Sequence, residues 1–431
     1  MKKLKSTLLV LLMATISLVA YYFYIAISGD VKSNKSEDDS EQRGSIIAEQ
    51  PTSEQPTSDS NSEPDEAIKL SLVAVGDNFA HESVINSGKQ ADGAYNYDFL
   101  FADTKKYIES ADIAVIFQTM IIAGNDKGVS GYPVFNTPEE MISAIDNAGF
   151  DVALMASNHS NDKGTNGIEQ CINLWKEKSD VMAVGINASE QESINIPIIE
   201  AKGKKIAVLN YTTDMNNPIA SASKRYMVNY LGALNPTTGN VSSSKLSESV
   251  INDIQRADEQ ADFVVVFPYW GTEYQYSASD IQKSWAKQMT EAGADLIIGA
   301  RSHYLGDIEE ITADNGNTSM CYYSLGNFCS SFNDGDAMVG GMARVNIVFE
   351  KDKAYVDTAA SGIMPIITHY SHSKDAGDNN AKLIGVYPIS EYSSEMASSH
   401  GIITRANVGF SMEYIEKIIR DKVKEDYLMR E

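Results

Sequence analysis

The sequence predicts a mixed α+β / α/β architecture, a layered sandwich of β-sheets with helices on the outside. Three observations support this. From residue 69 onward, apolar runs of strand length alternate with amphipathic helical patterns. Three strand-like segments then follow one another with no helix between them. Such a mixture fits layered sheets better than a single doubly wound sheet.

Taken in order, "KLSLVAVGD" (69–77) reads as a strand and "YDFLFADTKKYIESA" (97–111) as a helix with apolar positions spaced at roughly i, i+3, i+4. "DIAVIF" (112–117) is a strand, "TPEEMISAIDNAG" (137–149) a helix capped by Thr137 and closed by Gly149, and "DVALMA" (151–156) the next strand. The βαβαβ order continues through the helix "GIEQCINLWKEK", the strands "IPIIEA" and "KKIAVLNY", the helix "SKLSESVINDIQRAD", the strand "DFVVVFPYW", the helix "SDIQKSWAKQMTEAG" and the strand "DLIIGA". "CYYSLGNF", "GMARVNIVFE" and "AYVDTAASGIMPI" are the successive strand-like segments. Past about Thr368 the pattern loosens until an amphipathic helix over 411–431. The main domain is therefore expected to span 67–370, with 371–431 an extension carrying the terminal helix.

The N-terminal region differs in kind. Lys2, Lys3 and Lys5 precede an uncharged, mostly apolar run from Ser6 to Ser28, long enough to span a bilayer as a helix. It ends in the bulky "YYFYIAI" rather than a small-residue cleavage signal, so residues 1–28 are expected to form an uncleaved signal-anchor transmembrane helix. Residues after Gly29 would then lie outside a single-pass cell-membrane protein. The next stretch, 29–66, is acidic and rich in Ser and Pro, with "EQPTS" twice in tandem, and reads as a disordered tether.

With 59 acidic against 35 basic residues, the net charge of −24 disfavours nucleic acid, or any polyanion held by bulk electrostatics, as a partner. Cys171, Cys321 and Cys329 are too few and too scattered for a disulfide framework or a zinc-ribbon spacing, and are expected in the core. Three of the six histidines, His81, His159 and His303, fall just after expected strands, alongside Asp77, Asn158, Asp162 and Arg301. Polar residues at strand ends are where an α/β sheet presents a site.

The blocks "AVGDNFAHES", "SGYPVFNTP", "SNHSNDKGTNGI", "FPYWGTEY", "EAGADLIIGARSH" and "YSLGNF" resemble, in order and spacing from about Leu70 to Ile367, the CapA family of poly-gamma-glutamate capsule synthesis proteins. The resemblance implies a calcineurin-like metallophosphoesterase fold, two packed β-sheets flanked by helices. It also implies an anchored extracytoplasmic domain that helps make or export an anionic cell-surface polymer, with the polymer or its precursor and synthase subunits as partners.

The family pattern places potential metal ligands at Asp77, Asn158, His159 and His303, with the two histidines also the candidate catalytic groups. Four expected groups are replaced. Phe117 and Thr119 stand where the family has the Asn and Glu of Asn-x-Glu, Tyr269 stands at the His of His-Trp-Gly, and Arg301 stands at the first His of Gly-x-His-Pro-His; Ser302 replaces the proline of that last motif. A pair of divalent ions about 3.5 to 4 Å apart needs several anionic or imidazole ligands, which Phe117 and Thr119 do not supply. Arg301 has donors only and stays protonated.

A degenerate site is therefore expected, without a two-metal centre and holding at most one weakly bound Mn, Fe or Zn ion. Arg301 suits two roles equally: pairing with Asp77 in a metal's place, with its remaining donors offered to a ligand carboxylate or phosphate, or a plain salt bridge. Tyr269, Trp270 and Glu273 are candidate groove residues; Tyr269 and Phe117 also suit plain filling of the space left by lost ligands, and Trp270 plain packing. Asn327 reads most simply as a turn residue. The competing expectation is an active metal-dependent hydrolase of phosphoesters or amides running on the residual ligands.

Overall fold

The structure, a computed structural model, describes residues 67–351, 353–373, 377 and 380–431. The expected anchor and tether over 1–66 lie outside the described residues. Among the described residues, no helix is long and apolar enough to cross a membrane.

Four parallel strands come first, β1 (Ile68–Asn78), β2 (Ile113–Phe117), β3 (Val152–Leu154) and β4 (Met182–Val184). Then follow β5 (Ile198–Ala201), β6 (Lys204–Thr212), a small hairpin of β7 (Gly232–Leu234) and β8 (Val241–Leu246), β9 (Phe263–Tyr269), β10 (Leu296–Ile298), β11 (Ile308–Thr312) and β12 (Thr318–Tyr322). The last are β13 (Asn327–Cys329), β14 (Val339–Glu350), β15 (Lys353–Val356), β16 (Gly362–Ser371) and β17 (Lys382–Pro388). One sheet runs in the order β17-β16-β14-β1-β2-β3-β4, with β13 paired to β1 and β15 to β14; the second runs β11-β12-β10-β9-β6-β5.

Side-chain alternation along the strands sets the layers. Leu72, Ala74, Ile113, Val115 and Phe117 of the first sheet meet Val208, Val265, Phe267, Tyr269 and Ile298 of the second in an inter-sheet core. The opposite faces of the same strands are covered separately. Val73, Val75, Ala114 and Ile116 pack under the helices Glu140–Asn147 and Gly164–Lys178 and the C-terminal elements. Ala207, Leu209, Val264, Val266 and Ile297 pack under the helices Glu248–Gln260 and Asp280–Ala292. The expected arrangement, two packed sheets flanked by helices, is observed.

Several local expectations need correction. Thr137 does not cap its helix, which spans Glu140–Asn147 with Glu139 at the N-cap; the Thr137 hydroxyl is buried and has no partner. The helix expected over 97–111 is broken into a 3-10 turn, Asp98–Leu100, and a short helix, Lys105–Glu109. "CYYSLGNF" is no single strand: it ends β12 in one sheet and, after a turn, starts β13 in the other. Segment 371–431 is not an appendage, since β17 extends the first sheet and Ile402, Ile415 and Ile419 join the same core. All three cysteines are buried and unpaired.

Burial sets a pH limit in this C-terminal part. His400 is held neutral: its Nε2 lies 2.9 Å from the Thr368 carbonyl, to which it donates, so Nδ1 keeps the lone pair that accepts the Ile402 amide at 2.9 Å. Burial lowers its pKa from 6.5 to about 3, and lowers that of His369 to about 4. In that window the unfolded chain binds protons that the folded chain refuses, so stability falls as pH falls below the ordinary histidine value, by up to about 1.4 kcal/mol per pH unit for each histidine. Urea unfolding between pH 7 and pH 4 is expected to show this slope, and His400→Leu to make it shallower; an unchanged slope would remove His400 from the account. In the inter-sheet core, Phe117→Ala is expected to cost about 3–5 kcal/mol in the same assay, whereas a loss under about 1 kcal/mol would mean that Phe117 does not pack there.

Candidate functional site

The expected site residues do converge at the C-terminal ends of the parallel strands, but they form two separate clusters. Asp77 follows Gly76 on β1, lies level with Phe117 of β2 and Asn327 of β13, and donates its amide to the Gly326 carbonyl at 3.1 Å. A Cβ on Gly76 would come within 1.9 Å of that carbonyl oxygen, so the Gly-Asp sequence is what lets β13 lie against β1.

In the first cluster, His303 Nδ1 stands 3.3 Å from Asp77 Oδ2 and 3.1 Å from Asn327 Oδ1. Asn327 is thus more than a turn residue: its Nδ2 is anchored on the Ala337 carbonyl at 3.0 Å and its oxygen faces the histidine. Asp77 is fully buried, and burial raises its pKa against the opposing effect of His303; neither carboxylate oxygen has a close hydrogen-bond partner.

The second cluster centres on His159. Its Nδ1 lies 2.7 Å from Asp162 Oδ2, and the same oxygen accepts the Phe135 amide at 2.8 Å. Nε2 faces Asn216 Nδ2 at 3.3 Å, and Asn158 leaves its own Oδ1 buried without a partner. Phe79 lies against both clusters, meeting the His159 and His303 rings edge-on with centroids at 5.9 and 5.3 Å. It stacks on His81 at 4.5 Å, and burial lowers the His81 pKa to about 3. Phe135 and Phe332 close the aromatic wall against His159 and His303 at 4.6 and 4.7 Å.

Arg301 does not pair with Asp77; it forms an ion pair with Asp214, as the salt-bridge alternative had it. Its Nη1 donates to Thr213 Oγ1 at 2.7 Å and to Asp214 Oδ1, and its Nη2 to Asp214 Oδ2 at 3.2 Å. The guanidinium sits 6.0 Å from the Tyr269 ring centroid. The loop is bent to achieve this: Arg301 has φ +108° and His303 φ +63°, a conformation that costs energy for non-glycine residues and concentrates at functional sites.

Of the other groove candidates, Tyr269 and Phe117 point into the inter-sheet core, and the Tyr269 hydroxyl is buried without a partner. Trp270 points the other way: it is buried among the outer helices, stacks on Tyr323 and donates Nε1 to the Tyr323 carbonyl at 3.0 Å, which leaves it no face toward a ligand. Glu273 is half-buried near the mouth, where its charge acts on Asp77, Tyr269 and Arg301.

The strand-end search passed over one element. The loop after β6, "TDMNN" (213–217), straps the site: Asp214 holds Arg301, Asn216 donates its amide to the Asn158 carbonyl at 2.8 Å, and Asn217 and Asn161 exchange side-chain hydrogen bonds at 2.7 and 2.8 Å. Its signal was a run of polar residues just past a strand, the same cue that exposed the other loops. Asn78 and Gln118, hydrogen-bonded at 2.8 Å beneath the cleft, carried no comparable cue.

A two-metal centre does not fit this arrangement. Phe117 fills core volume, Arg301 places a fixed positive charge on a ligand position, and among the described residues no three His, Cys, Asp or Glu side chains gather closely enough to hold an ion. Among the expected ligands, a single ion could draw on the unpartnered oxygens of Asp77 and Asn158 and on the His303 ring. A cavity of about 650 Å³ lies at the opposite strand ends, beside Asp295, Glu310 and Lys353, and none of the expected site residues line it.

Comparison with known proteins matches residues 71–331 to the family described as bacterial capsule synthesis protein PGA_cap. The capsule biosynthesis protein CapA of Bacillus anthracis is 28% identical over 268 residues, covering 60% of this chain and 59% of that protein. The PGA biosynthesis protein CapA of Bacillus subtilis (strain 168) is 31% identical over 193 residues, covering 44% of this chain and 46% of that protein. The chain thus spans about half the length of these curated relatives. A hypothetical protein from Thermus thermophilus superposes with a TM-score of 0.38 at 11% identity, over 69% of this chain and 98% of that one. The family match covers more than half of the chain and all the strand-end loops that build the cleft: the chain belongs to the bacterial capsule synthesis (CapA) family and has its metallophosphoesterase-like fold.

Proposed function

We propose that this protein acts in the assembly or export of an anionic capsule polymer of the poly-gamma-glutamate type, by binding the polymer or its precursor rather than by two-metal hydrolysis. The observation that carries the reading is the Arg301 guanidinium seated on the Asp214 carboxylate at a ligand position of the family's metal site. A family site that has exchanged a metal-binding imidazole for a fork of hydrogen-bond donors is suited to holding an anion. Fold and ancestry alone do not make an enzyme.

In this reading the apolar run from Ser6 to Ser28 anchors the protein in the cell membrane, the acidic tether gives reach, and the domain works outside, beside the subunits of a polymer synthase. The net charge of −24 disfavours nucleic acid held by bulk electrostatics, whereas Arg301 offers the polymer a local cation.

One observation favours a second reading. Asp77 and Asn158 hold buried oxygens without partners, the kind of group that a cation would satisfy. A single Mn, Fe or Zn ion held there, with His303 and His159 as acid and base, would support hydrolysis of a phosphoester or amide in a surface polymer.

Metal analysis of the purified chain separates the two. Binding without a metal centre predicts Mn, Fe and Zn well below one ion per chain, and a rise on restoring the family residues through Phe117→Asn, Thr119→Glu, Tyr269→His and Arg301→His together. One full equivalent of metal in the parent, lost in Asp77→Ala, would overturn the proposal in favour of the hydrolase.

A further inference from the structure

Arg301 and Asp214 form an unequal pair. The arginine side chain is only 12% exposed, fixed by Thr213 and set over Tyr269, whereas its partner carboxylate is 54% exposed on the strap. Thr213 is itself fixed, its amide donating to the Tyr269 carbonyl at 3.0 Å. The cation and one neutral acceptor therefore belong to the packed framework, and the anion is the replaceable part. Arg301 Nε is also buried without a partner, so Asp214 leaves one guanidinium donor unused.

We propose that Arg301 and Thr213 form a carboxylate-binding subsite that Asp214 occupies as an internal stand-in for the ligand. A ligand carboxylate takes the two-pronged seat on Nη1 and Nη2, and Asp214, already at the surface, turns into solvent. A carboxylate fits better than a phosphate for two reasons. The seat already holds a carboxylate on two parallel donors, the geometry such a pair favours. Glu273 lies near the same guanidinium, so a phosphate, which brings up to two charges to the seat, meets more repulsion there than the single charge of one carboxylate group.

Displacement has a structural consequence. The strap that carries Asp214 also carries Asn216, whose side chain caps His159 Nε2 and whose amide holds the Asn158 carbonyl. Releasing Asp214 loosens the strap at one end while Asn217 keeps the other end on Asn161. A bound carboxylate is thereby linked to exposure of His159.

This inference rests on the polymer-binding reading and deepens it by naming the group recognised. An internal carboxylate competes at an effective concentration in the millimolar range or above, so removing it raises apparent affinity. Titration calorimetry on the full chain at fixed salt uses glutarate, inorganic phosphate and a gamma-linked glutamate oligomer as probes. Asp214→Ala is expected to bind glutarate at least about tenfold more tightly than the parent, and the gain to vanish when Arg301→Gln is added. Asp214→Asn, which keeps the side chain's size, serves if the alanine variant does not fold.

No gain in either variant, a gain that survives Arg301→Gln, or phosphate binding as tightly as glutarate overturns the subsite. If glutarate behaves as expected but the oligomer binds no better than glutarate, the subsite stands and the polymer reading fails. If the oligomer binds the parent and Arg301→Gln alike, the polymer reading stands and the subsite fails.

Discussion

The cleft depends on one close contact, the approach of β13 to the end of β1 at Gly76 and Gly326. The amide of Asp77 reaches the Gly326 carbonyl at a distance that no side chain on residue 76 would permit. That contact joins the parallel half of the first sheet to a strand entering from the second, because the chain leaves β12 and begins β13 within a few residues. It also sets Asp77 level with Asn327, which in turn orients His303. The sheets would still stack without it, but the residues at their ends would not share a cleft.

The polar groups in the cleft are divided between partners that satisfy them and partners that do not. His159 is satisfied on both ring nitrogens, Arg301 on both terminal nitrogens and His303 Nδ1 by the Asn327 oxygen. Asp77, the Asn158 oxygen and the Tyr269 hydroxyl are buried and lack partners. Leaving a buried polar atom unpaired costs on the order of 1–3 kcal/mol, which a packed domain tolerates chiefly where function requires it. Phe117 lies in the inter-sheet core, Arg301 is held by Asp214, and Asp77 faces His303.

Much of this was legible in the residues. Strand-end polarity identified Asp77, Asn158, His159, Arg301 and His303, because a parallel sheet delivers its C-terminal ends to one side. The orientation of Trp270 was legible too: Phe263, Val265, Phe267 and Tyr269 form one face of β9, so the next residue had to point outward. The Arg301 partner was not, since Asp214 lies 87 residues away on a loop whose path depends on how β6 docks beside β9. Strands of three residues show no periodicity of their own: β3 and β10 were visible only through the longer apolar runs that contain them, and β4 was missed. In "CYYSLGNF" the turn at Gly326 and Asn327 was legible, but nothing local says that its two halves join different sheets.

The three cysteines carry a consequence for where such a domain can be made. Each thiol is buried, and burial raises the pKa of Cys171 and Cys329 to about 12 and that of Cys321 well above the ordinary thiol value. The thiolate is the form that oxidises and exchanges, so these side chains are chemically silent in the folded state. The folded domain therefore contains no disulfide that a reducing compartment could break.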